Sequence, residues 1–257
     1  MSEKSQDSKA GEPKRHGALS ARNIFAFIWP ALGLFIGGTI AVFFLRTTGI
    51  VDEASAKFFQ EEPWARVPID VFVNVLALAI IVLPFYKYFF GPDAHWKLIF
   101  ALERKPGWKD FGIAFIAFGA YFATSALLIA LLSSFMPGFD LDESQELGVL
   151  QPDTWIEFAS LLIILVVIPP LVEELIFRGY MFSALRKRLS FWPTAILTSI
   201  AFGIVHGQWN VGADTFVLSL FLCGLREYTK SLWAPIFLHG IKNGIAYLIL
   251  FVFQVQP

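Results

Sequence analysis

The sequence predicts an all-α fold, a polytopic transmembrane helix bundle of about seven spans within bounds of six to eight, and three observations predict it. First, 56% of the 257 residues are hydrophobic and 16% are charged, whereas soluble domains run about 45–50% apolar and about 25% charged. Second, uncharged runs of membrane length recur along the chain, each able to cross a hydrocarbon layer of about 30 Å as a helix. Third, lysine and arginine alternate between successive connecting segments. A mean hydropathy of +0.62 excludes a disordered chain, a collagen-like chain and a coiled coil, and the spans leave no room for a large soluble domain.

Residues 1–23 are polar and carry Lys4, Lys9, Lys14, Arg15 and Arg22, the composition of a disordered tail. Ile24–Leu45 follows with 22 uncharged residues. It is longer than a signal-peptide core and has no small-residue cleavage pattern after it, so it reads as an uncleaved first span. The remaining spans are Val67–Tyr86, Phe111–Phe135, Ile156–Ile176, Phe191–Val205, Thr215–Leu225 and Ser231–Phe253, of which the fifth and sixth are short. Residues 24–150 thus form an N-terminal set of helices and residues 151–257 a C-terminal set. The single cysteine, Cys223, lies in an apolar run and reads as a small core residue.

Lys and Arg in the short loops orient the bundle. The tail has five, segment 46–66 has three, segment 87–110 has five, segment 177–190 has four and segment 226–230 has two. Segment 137–154 has none, and carries Asp140, Asp142, Glu143, Glu146 and Asp153. This places the N-terminus in the cytoplasm and segment 137–154 outside. Trp96 and Trp108 flank the second inner segment, as residues of a membrane interface do.

Ionisable residues inside spans are expensive and mark sites by default. In the first half, Asp70 beside Arg66 reads as a helix end, and Glu157 suits a helix N-terminus. His16 and His95 lie in polar segments and read as surface residues. The second half differs. After a long apolar run come Pro169, Pro170, Leu171, Val172, Glu173, Glu174, Leu175, Ile176, Phe177 and Arg178. The prolines interrupt the hydrogen-bond ladder and can kink a helix. Glu174 and Arg178, four apart, share a helix face and can pair, while Glu173 points about 100° away. Phe202 and His206 close the fifth span, and His239 and Asn243, again four apart, share a face in the seventh. Separately, these groups read equally as a structural ion pair and interhelical hydrogen bonds. Together they form the inventory of a hydrolytic centre: a base, imidazoles, and donors for an oxyanion.

These three elements resemble the motifs of the CPBP family, the CAAX protease and bacteriocin-processing membrane proteases, which include type II CAAX prenyl endopeptidases. The Glu-Glu-x-x-x-Arg stretch is Glu173 to Arg178, the Phe-x-x-x-His stretch is Phe202 to His206, and the His-x-x-x-Asn stretch is His239 to Asn243. Arg178-Gly179-Tyr180 also looks like the family, and the similarity covers roughly residues 155–250. The resemblance implies a catalytic core in residues 151–257 and a conical cavity open to the cytoplasmic side. In it Glu173 would be the general base working with His206, His239 and Asn243 would stabilise the oxyanion, and Arg178 and Glu174 would support the site. Lys242, between His239 and Asn243, departs from the neutral residue expected there; it can snorkel, pair with Glu173 or Glu174, or face another helix.

The implied activity is an intramembrane endopeptidase acting on membrane-associated or lipidated peptides, prenylated ones included, in a multi-pass membrane protein of the plasma or inner membrane if the source is prokaryotic. Two histidines and a glutamate can hold catalytic zinc. The same residues can run a metal-free hydrolysis, and the absence of a His-Glu-x-x-His helix favours that route. Membrane lipid is the expected surrounding. No basic domain or basic-aromatic stripe points to nucleic acid. The alternative is a non-catalytic membrane protein, a pseudoprotease scaffold or a transporter. A transporter built from repeats often places paired broken segments in both halves, whereas the polar residues here lie in one.

Overall fold

The computed structural model describes residues 20–139 and 150–254, and among them there are helices and no strand. The helices are α1 (Ala21–Thr47), α2 (Glu53–Glu61), α3 (Pro63–Val82), α4 (Tyr86–Phe90), α5 (Trp96–Ile99), α6 (Trp108–Phe135), α7 (Trp155–Arg186), α8 (Phe191–Ile204), α9 (Trp209–Thr229) and α10 (Trp233–Val252). Five of them, α1, α3, α6, α7 and α10, are long and apolar enough to cross a membrane. The apolar but shorter α8 and the 21-residue α9 stand where the sequence predicts two short spans. The protein is therefore an all-α, multi-pass membrane bundle. Most of the predicted tail and the acidic stretch 140–149 lie outside the described residues.

Local chemistry sets the helix ends. Ser20 caps α1, its hydroxyl accepting from the Asn23 N–H at 3.4 Å, so the helix starts three residues before the apolar run. Pro63 occupies the first turn of α3, where its missing N–H costs nothing. The segment between the first two spans contains a helix the hydropathy pattern does not show: α2 opens with a capping box of Asp52 and Ser55.

The prolines of α7 do not end it. The helix runs on through two wide π-helical stretches, Ile163–Val167 and Leu175–Met181, on either side of the Pro169–Glu174 turn. Proline removes a donor, and the wide turn shifts the register, with the Ile168 N–H reaching Ile163 O. Such bulges are frequent at functional sites.

Helix α7 is the axis of the bundle: α1, α3, α8, α9 and α10 all pack on it, and α6 closes the far side against α9 and α10. From Ile176 to Phe182 every residue is buried, as expected of a helix enclosed all round. A Cβ on Gly203 would sit 2.8 Å from Gly212 O, so glycine lets α8 and α9 touch backbone to backbone just before the turn that carries His206.

Candidate functional site

Glu173, Glu174 and Arg178 lie on α7, His206 in the turn after α8, and His239 and Asn243 on α10. Helix α7 supplies the anchor. Arg178 Nη1 donates to Glu174 Oε1 at 2.9 Å, and both side chains are 0% exposed. This is the i,i+4 pair the spacing predicts. Phe202 of α8 lies under the guanidinium, its ring centroid 4.3 Å from Arg178 Cζ. The same ring stands edge-on to Phe177 at 5.0 Å, His206 at 4.9 Å and His239 at 5.8 Å. Phe202 is thus the common wall that fixes the arginine and both imidazoles.

His239 is held between two carboxylates. Its Nδ1 is 3.0 Å from Glu174 Oε1 and its Nε2 is 3.7 Å from Glu173 Oε2. A carboxylate paired with Arg178 only accepts, so Nδ1 carries a hydrogen and donates it. Nε2 is then bare in the neutral ring and a donor in the imidazolium. His206 has the complementary arrangement. Its Nδ1 is 2.7 Å from Phe202 O, a carbonyl that only accepts, which leaves Nε2 of the neutral ring as a free acceptor. Glu173, His239 and Lys242 are its electrostatic neighbours. Glu173 Oε2 is buried and makes no hydrogen bond within the protein. The structure therefore sets Arg178, His206 and His239 around the Phe202 ring and brings Glu173 and Glu174 onto His239.

Asn243 is placed differently. Its Nδ2 donates to Leu165 O at 3.1 Å, the carbonyl that Pro169, four residues on, cannot serve. One of its two N–H groups closes the gap in the α7 ladder, and the other is free for a ligand.

Lys242 does not pair with Glu173 or Glu174. Its Nζ is 3.7 Å from Asp214 Oδ2 on α9. Asp214 in turn accepts from Tyr121 Oη at 2.7 Å and from Ser125 Oγ, both on α6. This polar network across three helices is absent from the sequence reading. Its available signal was Asp214 itself, an acid one residue outside an apolar run that hydropathy opens at Thr215. The other secondary positions are as expected: Asp70 pairs with Arg66 at 3.0 Å, Glu157 sits in the first turn of α7, His95 is exposed and Cys223 is buried.

At the lysine- and arginine-rich end of the bundle Phe89, Ile99, Phe100 and Ala101, from α4 to just past α5, are buried. Phe100 approaches Gly179 so closely that a Cβ on the glycine would meet its ring at 2.7 Å. An apolar cavity of about 560 Å³ lies between the last turns of α6 and the α8–α9 turn. Gly203, Ile204, Gly207 and Phe216 line it beside His206.

Among the described residues no three His, Cys, Asp or Glu side chains converge in a way that could hold a metal ion. The zinc expectation therefore has no fitting ligand set in this arrangement, and no step below passes through a metal.

A buried acid–imidazole centre inside a helical membrane bundle is the class that fold and site define. Residues 155–245 match the family described as "Rce1-like: Type II CAAX prenyl endopeptidase Rce1-like". A Bacillus subtilis (strain 168) protein named "Putative membrane peptidase YdiL" is 29% identical over 97 residues, 38% of this chain and 38% of that protein. The chain thus spans well under half the length of the curated relative it matches. No solved structure matches. The matched segment opens at the first residue of α7 and contains all six candidate site residues, Glu173, Glu174, Arg178, His206, His239 and Asn243.

Proposed function

We propose that the α7–α10 centre is an intramembrane endopeptidase that hydrolyses peptide bonds of membrane-associated or lipidated substrates. The observation that carries this reading is His239 set between two carboxylates, with Nδ1 on Glu174 and Nε2 towards Glu173, while His206 presents a bare Nε2 beside the same Glu173. Glu173 and His206 take a proton from water as its oxygen attacks the scissile carbonyl carbon. The oxyanion accepts from the imidazolium Nε2–H of His239 and from the second N–H of Asn243. The C–N bond then breaks, and the proton held by Glu173 and His206 passes to the leaving amine. Glu174, paired with Arg178, accepts from His239 Nδ1–H, which orients the ring and stabilises its imidazolium form, and neither residue touches a reacting atom. The apolar cavity beside His206 suits an apolar side chain or a lipid chain on the substrate, prenyl groups among them.

The test is peptide turnover by the full chain in liposomes against a quenched-fluorescence peptide library, normalised to correctly inserted protein. Glu173→Gln and His206→Ala abolish turnover while leaving insertion intact, and each lost oxyanion donor lowers the rate roughly 10²–10³-fold. Wild-type rates in Glu173→Gln overturn the assignment of the base, and no turnover by inserted wild type favours a non-catalytic scaffold.

A further inference from the structure

At the lysine- and arginine-rich end of the bundle, far from the acid–imidazole centre, three cations stand together with no ion-paired carboxylate among the described residues. Arg22 lies in the first turn of α1, Lys187 and Arg188 follow the last turn of α7, and α1 packs directly on that part of α7. The Arg22 guanidinium sits 4.3 Å from the ring centroid of Tyr88 on α4. Lys187 Nζ reaches the carbonyls of Phe89 and Phe90 at 3.4 and 3.3 Å. Among the described residues none of the three cations makes an ion pair. Arg22 Nε and Arg188 Nη1 are buried and have no hydrogen-bond partner among the described residues.

That arrangement is unfavourable on its own. A helix N-terminus carries partial positive charge and disfavours a cation, yet α1 has Arg22 there and no acid in its first turn. Burial, together with Arg188 and Arg22, pulls the Lys187 ammonium below its ordinary pKa, and burial with Arg22 does the same to Arg188. Arg22 and Arg188 thus lie near one another at the start of α1, each with a buried guanidinium nitrogen that finds no partner among the described residues.

The surroundings indicate which anion. Ile24 and Ile28 on α1 are 45% and 48% exposed, and Trp192 at the start of α8 is 67% exposed. These apolar surfaces begin immediately below the cations, and tryptophan marks the membrane–water interface. A headgroup phosphate lies at that level, with its acyl chains against the apolar flank.

We propose that Arg22, Lys187 and Arg188 form a binding site for the phosphate of an anionic phospholipid, which ties the start of α1 to the end of α7. The site is independent of the hydrolytic reading. Guanidinium groups suit it because their planar fork matches phosphate oxygens.

The experiment uses the purified full chain in a neutral detergent, titrated separately with dioleoyl phosphatidylglycerol, dioleoyl phosphatidylcholine and inorganic phosphate, with bound lipid read by native mass spectrometry and stability by thermal unfolding. Wild type retains phosphatidylglycerol in preference to phosphatidylcholine and is stabilised by it. Affinity falls about fivefold for each charge removed, in Arg22→Gln/Arg188→Gln and, at an exposed position that does not threaten folding, in Lys187→Gln. Equal retention of the two lipids by wild type, or undiminished phosphatidylglycerol binding in Lys187→Gln and in the double variant, overturns the proposal. Stabilisation by inorganic phosphate matching that by the lipid overturns the lipid assignment.

Discussion

Replacing Arg178 with methionine tests the anchor of the site most directly. Glu174 and Arg178 are both 0% exposed and joined at 2.9 Å, so the substitution strands a carboxylate in the core with only His239 beside it. Breaking a buried pair from one side costs about 3–5 kcal/mol. The lost contact with the Phe202 face, worth about 0.5–2 kcal/mol, lies on top of the pair itself. Against a total stability of about 5–15 kcal/mol, this is a large fraction. Glu174→Gln/Arg178→Met should behave better than Arg178→Met alone, because no charge is stranded and the amide oxygen still accepts from His239 Nδ1. The coupling between the two positions is therefore expected at about 2–3 kcal/mol, near the top of the range for residues in one network. Reversible unfolding of the purified protein in mixed micelles, driven by dodecyl sulfate and followed by tryptophan fluorescence, measures all four corners of the cycle. An Arg178→Met variant within about 1 kcal/mol of wild type, or two single effects that simply add, refutes the anchoring role.

Asp214→Asn removes the counter-charge of Lys242 and should lower stability by about 1–3 kcal/mol, with Lys242→Met recovering part of it in the same background; the same unfolding assay reads both. Hydrolysis by the purified chain should survive strong chelation, so complete inactivation that added zinc reverses would restore a metal to the mechanism. Ser144→Cys, in the acidic segment, should react with an impermeant maleimide added from outside intact cells; labelling only from the cytoplasmic side inverts the topology.

The parts of this protein written in local spacing were legible in the sequence. Hydropathy located the long helices, because a run of about 20 apolar residues has few other uses. The four-residue spacing of Glu174 and Arg178 gave their pairing, and the ~100° step between neighbours gave Glu173 a separate direction. Contacts between distant segments were not legible. The Phe-x-x-x-His spacing marked Phe202 without showing that its ring would also carry Arg178 and His239, from helices 24 and 37 residues away. Asp214 joins residues 89 and 93 positions earlier, and hydropathy had set it just outside a span. The buried stretch from Phe89 to Ala101 comes from helices of five and four residues, too short to show a period.

The prolines and the asparagine explain each other. Pro169 takes one donor out of α7 beneath a membrane-length helix, where an unserved carbonyl is expensive. The wide turn over Ile163–Val167 re-registers part of the ladder, and Asn243 serves Leu165 O from the neighbouring helix. One turn earlier on α10, His239 meets Glu174 and Glu173. The two residues of the His-x-x-x-Asn stretch are therefore two pins of one helix face, one on the backbone of α7 and one on its carboxylates. Tyr247 adds a third at the same spacing, its hydroxyl donating to Phe158 O at 2.8 Å. Shifting α10 by one residue against α7 would break all three bonds at once, replacing His239 with Gly240 and Asn243 with Gly244. The register that satisfies the proline gap is the register that sets His239 between the two glutamates. The helix break and the acid–imidazole arrangement are thus a single structural feature.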